Sequence, residues 1–147
     1  MTGTADVRDG DTLSLGPVLI RIHGIDAPEA AQRCDTFSGS RWACGAAATA
    51  RLDALVGGMD LRCAARDVDR YGRVVAVCGI TGGLEDVGAV LVAEGLAWAF
   101  REYSMDYVSL EEEARTLEAG VWRAPTQTPW DYRADRWERA AAVSPRV

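Results

Sequence analysis

Apolar and polar residues alternate in short runs over the first third of the chain, and the pattern shifts to a helical period later. Ala5 and Val7 alternate with polar neighbours before Asp9-Gly10-Asp11 turns the chain. Thr12 to Leu15 alternates again, and Gly16-Pro17 supplies a second turn. Val18 to Ile25 reads as a third strand. Its Val18, Ile20 and Ile22 share one face, and Leu19, Arg21 and His23 share the other. Asp26-Ala27-Pro28 ends that strand, because proline cannot donate to a ladder.

Residues 30–40 show no period and read as a loop. Alanine-rich Arg41 to Val56 predicts a helix that Gly57-Gly58 stops. Leu61–Arg66 and Arg73–Ile80 predict strands around the turn Asp69-Arg70-Tyr71-Gly72. Val87, Val90, Leu91 and Glu94 mark a short helix ending at Gly95, and Leu96 to Phe100 is a short extended piece. Tyr107, Leu110, Ala114, Leu117 and Val121 fall at helical spacing with glutamates opposite, and Gly120 interrupts near the end. A three-stranded meander, a helix and then a hairpin is the OB-fold order. The expected architecture is α+β: a five-stranded OB-fold Greek-key barrel with three flanking helices. Residues 1–122 form the domain, and the tryptophan-bearing tail, residues 123–147, packs on it.

Length and composition narrow the chemistry. A chain of 147 residues suits one domain, and no stretch is long and apolar enough to span a membrane. Lysine is absent, which excludes Schiff-base chemistry and a Walker-type phosphate loop. One histidine, His23, and no G-x-S-x-G leave little room for a nucleophilic triad. The net charge of −6 opposes long-range attraction to nucleic acid, but much of the surplus sits around Glu111, Glu112, Glu113 and Glu118 on a late helix.

Four cysteines without a C-x-x-C leave three pairings, or four separate buried thiols. A hairpin centred between Arg70 and Tyr71 sets Cys63 opposite Cys78. Facing side chains lie about 4.5–5.5 Å apart at Cβ, near what a disulfide needs. Cys34 and Cys44 are then expected to staple the irregular loop. Two bridges imply an oxidising, extracytoplasmic compartment, although Met1 to Arg8 lacks the features of a signal peptide.

Asp9 and Asp11 flank a glycine, and Asp26 and Glu29 bracket Ala27-Pro28. If the strands pair, the two turns meet. Oxygens converging without histidine or thiol favour a hard cation. Taken singly, each is also an ordinary turn or strand end. Arg21 lies mid-strand, where a charge needs a partner. Arg73 follows the Asp69–Gly72 turn. Guanidinium forks match phosphate oxygens, whereas the plain readings are a salt bridge for Arg21 and a solvated charge for Arg73.

Asp9-Gly10-Asp11-Thr12, Ile20-Arg21-Ile22-His23-Gly24-Ile25-Asp26-Ala27-Pro28-Glu29 and Asp69-Arg70-Tyr71-Gly72-Arg73 occur in that order. They resemble the signature blocks of the staphylococcal nuclease (thermonuclease) family. Gly95-Leu96-Ala97 and Gly120-Val121-Trp122 are similar too. The resemblance implies a Ca²⁺ site at Asp11, Asp26 and the Ala27 carbonyl, with Asp9 shaping the pocket and Mg²⁺ or Mn²⁺ as alternatives. It implies that Glu29 activates or orients water and that Arg21 and Arg73 grip the scissile phosphate. Cleavage of the 5′ P–O bond of DNA or RNA would leave 3′-phosphate ends. Tyr71, Tyr103 and Arg70 are candidate substrate contacts, and Arg101 occupies a place where relatives carry a stacking tyrosine. The implied protein is a monomer with no membrane partner. Two other readings stand beside it: a non-catalytic OB-fold module that binds nucleic acid or protein, and a small secreted protein with a structural or polysaccharide-linked role.

Overall fold

The alternation in residues 2–22 folds as a meander of β1 (Thr2–Val7), β2 (Thr12–Leu15) and β3 (Val18–Ile22). The structure is a computed structural model that describes residues 1–143. After β3 the chain forms β4 (Ile25–Asp26), a small hairpin of β5 (Cys34–Asp35) and β6 (Arg41–Trp42), and helix α1 (Cys44–Val56). The long hairpin of β7 (Asp60–Val68) and β8 (Val74–Ile80) follows. Then come α2 (Val87–Ala93), β9 (Trp98–Ala99), α3 (Val108–Thr116), a 3-10 turn at Gly120–Arg123 and α4 (Pro129–Val143).

Five strands close into a barrel in the order β1-β2-β3-β8-β7. All neighbours are antiparallel except β3 and β8, which run parallel with Arg21 opposite Val75. This is the OB-fold arrangement expected from the order of elements. The inward set includes Leu13, Ile20, Ile22 and Leu61, each no more than 1% exposed. Burying each such side chain contributes about 1.5–3 kcal/mol. The period of two in β3 then puts Arg21 outside the barrel, and the strand ends at Ile22, one residue before His23. Helix α1 joins the same core through Ala48, Leu52 and Val56.

Three local expectations need correction. Helix α1 begins at Cys44 rather than Arg41, because Arg41 and Trp42 pair with Asp35 and Cys34 inside the segment read as a loop. Helix α3 stops at Thr116, where the chain takes a positive φ at Glu118 and again at Gly120. Leu117 is consequently exposed, while Glu111 is buried and accepts a hydrogen bond from the Ala99 N–H. The tail holds a fourth helix beyond the three expected. Its start is built from Thr128, whose hydroxyl accepts from the Asp131 N–H, followed by Pro129 in the first turn.

Both disulfides are present. Cys63–Cys78 bridges facing residues of β7 and β8, and Cys34–Cys44 ties the small hairpin to α1. The second bridge sits in its own small core with Trp98 and Val121. No cysteine is free among the described residues. Replacing Cys63 and Cys78 together by serine is expected to lower stability by about 3 kcal/mol, the value for a loop of this size. Denaturant unfolding of the double variant against the oxidised wild type measures it.

Candidate active site

The D-G-D turn and the segment after β3 lie side by side, and the reason is steric. Gly10 presses so closely on its neighbours that a Cβ there would stand 2.8 Å from the Cβ atoms of both Ala27 and Ala48. A second close approach seats Glu29. A Cβ on Gly45, in the first turn of α1, would meet the Glu29 carbonyl oxygen at 1.8 Å. Buried Gln32 completes the seat. Its side-chain oxygen accepts from the Glu29 N–H at 3.1 Å, and its amide donates to the Gln127 carbonyl at 2.8 Å.

The carboxylates are then wired together. The Asp11 carboxylate accepts from the Ala27 N–H at 2.8 Å and from the Thr12 hydroxyl at 3.1 Å. Asp9 accepts from the Asp11 N–H. Arg21 lies between the two turns, 3.2 Å from Asp11 and 3.5 Å from Asp26. Burial, and then the Asp11 charge, push the Asp9 carboxyl up to about 6. Burial also raises Asp26, against the hydrogen bonds it accepts from Arg133. Both shifts have one origin: negative charge is concentrated here out of water.

These groups line a single cavity of about 380 Å³. Asp9, Asp11, Arg21, Asp26 and Glu29 stand on one side. Asp69, Arg70, Tyr71 and Arg73 come from the β7–β8 turn, and Tyr103 comes from the segment after β9. Asp69 braces its turn by accepting from the Tyr71 and Arg73 N–H groups at 2.9 Å and from the Arg73 guanidinium at 2.7 Å. Burial works against the Asp69 charge, but these hydrogen bonds outweigh it and hold the carboxyl below its ordinary value. Tyr71 is largely exposed, with the Arg70 and Arg73 guanidiniums each 5.6 Å from its ring. Tyr103 packs against Phe100 and is otherwise largely exposed.

Two residues are not where a catalytic role would need them. Arg101 turns to Glu111 at 3.2 Å, and His23 bonds Asp106 at 3.1 Å; neither lines the cavity. One residue enters from a segment that the sequence motifs do not cover. Arg133 of α4 donates to both oxygens of Asp26 and to Glu29. The local signal that could have found its helix, Thr128-Pro129 at the start of α4, says nothing of what Arg133 touches.

Asp11, Asp26 and the Ala27 carbonyl would supply only hard oxygens, a set that suits Mg²⁺ or Ca²⁺ with water and phosphate filling the other positions. Among the described residues no group of three or more His, Cys, Asp or Glu side chains is gathered into a cage. Two carboxylates and one carbonyl are compatible with that, because the third protein donor is backbone.

Comparison with known proteins gives the same answer as the motifs. Residues 19–124 match the family model described as staphylococcal nuclease homologue. The chain is 32% identical to a micrococcal nuclease of Shigella flexneri over 151 aligned positions, covering 92% of this chain and 78% of the relative. It is 34% identical to the succinoglycan biosynthesis protein ExoI of Rhizobium meliloti, covering 93% of this chain and 72% of that one. An uncharacterized endonuclease of Haemophilus influenzae is 31% identical, with 79% of this chain and 62% of the relative covered. With its barrel, its three ordered motifs and these matches, the chain belongs to the staphylococcal nuclease homologue family.

Proposed function

We propose that the protein is a Ca²⁺-dependent nuclease that hydrolyses phosphodiester bonds of DNA or RNA at the 5′ P–O bond and leaves 3′-phosphate ends. The observation that carries this reading is the meeting of Asp11, Asp26, Glu29, Arg21 and Arg73 around one cavity. Relatives named as nucleases and endonucleases support it.

Asp11, Asp26 and the Ala27 carbonyl would hold the divalent ion, which when bound would polarise a phosphoryl oxygen and ease build-up of negative charge. The remaining work falls to the chain's own groups. Arg21 and Arg73 bind the phosphate oxygens as charge grows on them, and tighter binding in that state than in the substrate is what accelerates the reaction. Glu29 accepts a proton from the attacking water or holds that water in line. Its backbone seat against Gly45 and Gln32 fixes where the carboxylate starts. Tyr71 and Tyr103, both on the cavity wall, are the rings on which bases of the substrate would stack. The two disulfides are compatible with an extracytoplasmic setting. Among the described residues no helix is long and apolar enough to cross a membrane.

Digestion of single-stranded DNA and RNA with and without chelator, followed by end-group analysis, tests the reading. Excess chelator should abolish cleavage, and added Ca²⁺ should restore it with 3′-phosphate ends. Full activity in chelator overturns the proposal. Binding without turnover in Ca²⁺, Mg²⁺ and Mn²⁺ assigns a non-catalytic module instead. Glu29→Gln is expected to lower kcat by about 10²–10⁴-fold, the usual size of a general-base contribution, and Arg21→Ala by at least about 10²-fold; single-turnover rates measure both. Tyr71→Ala and Tyr103→Ala should each weaken substrate binding by about 1–3 kcal/mol while leaving the single-turnover rate at saturation nearly unchanged.

A further inference from the structure

The contact between α4 and the carboxylates goes beyond the family motifs. Arg133 donates to Asp26 Oδ1 at 3.1 Å, to Asp26 Oδ2 at 2.8 Å and to Glu29 Oε1 at 3.2 Å. The Asp26 side chain is 1% exposed, and Arg21 stands 3.5 Å from the same Oδ1. Both oxygens of a buried carboxylate are therefore engaged by guanidinium groups. A divalent ion needs one of those oxygens, and its charge and the Arg133 guanidinium repel each other when both sit on the one carboxylate.

The rest of the helix is arranged so that the side chain can leave. Arg133 is 36% exposed, far more than its partner. Beside it lies a second cavity of about 310 Å³, lined by Glu29, Arg133, Arg136 and Trp137, with room for a displaced guanidinium. The helix has other anchors. Trp130 packs on Phe100 with ring centroids 5.7 Å apart and meets Trp98 edge-on at 6.5 Å. Gln32 holds the Gln127 carbonyl just before the helix.

We propose that Arg133 is a built-in counter-cation that a divalent ion must displace from Asp26, so that the C-terminal helix sets the cation affinity of the site. The same displacement releases Glu29 to engage water. The inference rests on the metal-binding reading above. It makes Arg133 a positioning residue that acts through Asp26 and Glu29.

Isothermal titration of the full chain with CaCl₂, without substrate, tests it on wild type, Arg133→Ala, Arg133→Gln and Arg133→Lys, each first checked for native circular dichroism. The alanine and glutamine variants are expected to bind Ca²⁺ about tenfold or more tightly than wild type, as loss of a charge-assisted bond to the ligand predicts. Lysine should fall between, since it keeps the charge without the fork. The glutamine variant, which retains much of the side chain's length and polarity, decides the matter if alanine loosens the helix. Equal or weaker Ca²⁺ affinity in the glutamine variant, with wild type binding normally, overturns the counter-cation role alone. The same titrations with MgCl₂ and MnCl₂ separate the two readings: no binding of any of the three ions by wild type or any variant removes the metal reading itself, and this inference with it.

Discussion

Mutual repulsion among carboxylates is the constraint around which this fold is organised. Asp9, Asp11, Asp26 and Glu29 line one cavity, and two of them are buried. Left alone, such a cluster would protonate or push the turns apart. Burial first, and the Asp11 charge after it, hold the Asp9 and Asp26 carboxyls above their ordinary values. Arg21 relieves the repulsion from the barrel side by spanning Asp11 and Asp26, and Arg133 relieves it from the tail. The backbone does the rest. Amide and hydroxyl donors hold Asp11, and two glycines let the turns approach where any side chain would collide. Stability and chemistry are thus set against each other at the same atoms.

An acidic protein without lysine looks poorly suited to bind polyanions. Four arginines, Arg21, Arg70, Arg73 and Arg133, line the cavity beside its carboxylates, and further acidic residues lie on and beyond α3, away from it. One of those acidic groups, Glu111, is not surface charge at all but a buried acceptor for Ala99 and Arg101. Net charge governs approach from a distance; the arginines govern the last few ångströms.

Most of the barrel was legible because a period of two and turn residues leave little choice. Ile20 and Ile22 inward with Arg21 outward follows from alternation alone, and the Cys63–Cys78 pairing follows from counting outward from the hairpin turn. The motif residues of the site were legible because they lie in short runs beside turns. What could not be read depended on contacts distant in sequence. Arg41 and Trp42 pair with Cys34 and Asp35 because a small core with Trp98 and Val121 holds them, and nothing local announces that. Arg133 reaches Asp26 across 107 residues, and no spacing rule encodes such a meeting.

The parallel pairing of β3 with β8 carries a last consequence. Arg21 sits on one strand and Arg73 immediately precedes the other, with Arg21 level with Val75. The two arginines are thus set two positions apart along one ladder, with Arg73 just before its first paired rung. A slip of a single rung would turn Arg21 into the barrel interior and force Ile20 out into water. Their span is therefore stepwise, not adjustable by degrees. Insertions or substitutions in the connecting loops can reshape the rim of the cavity while this internal ruler keeps its length.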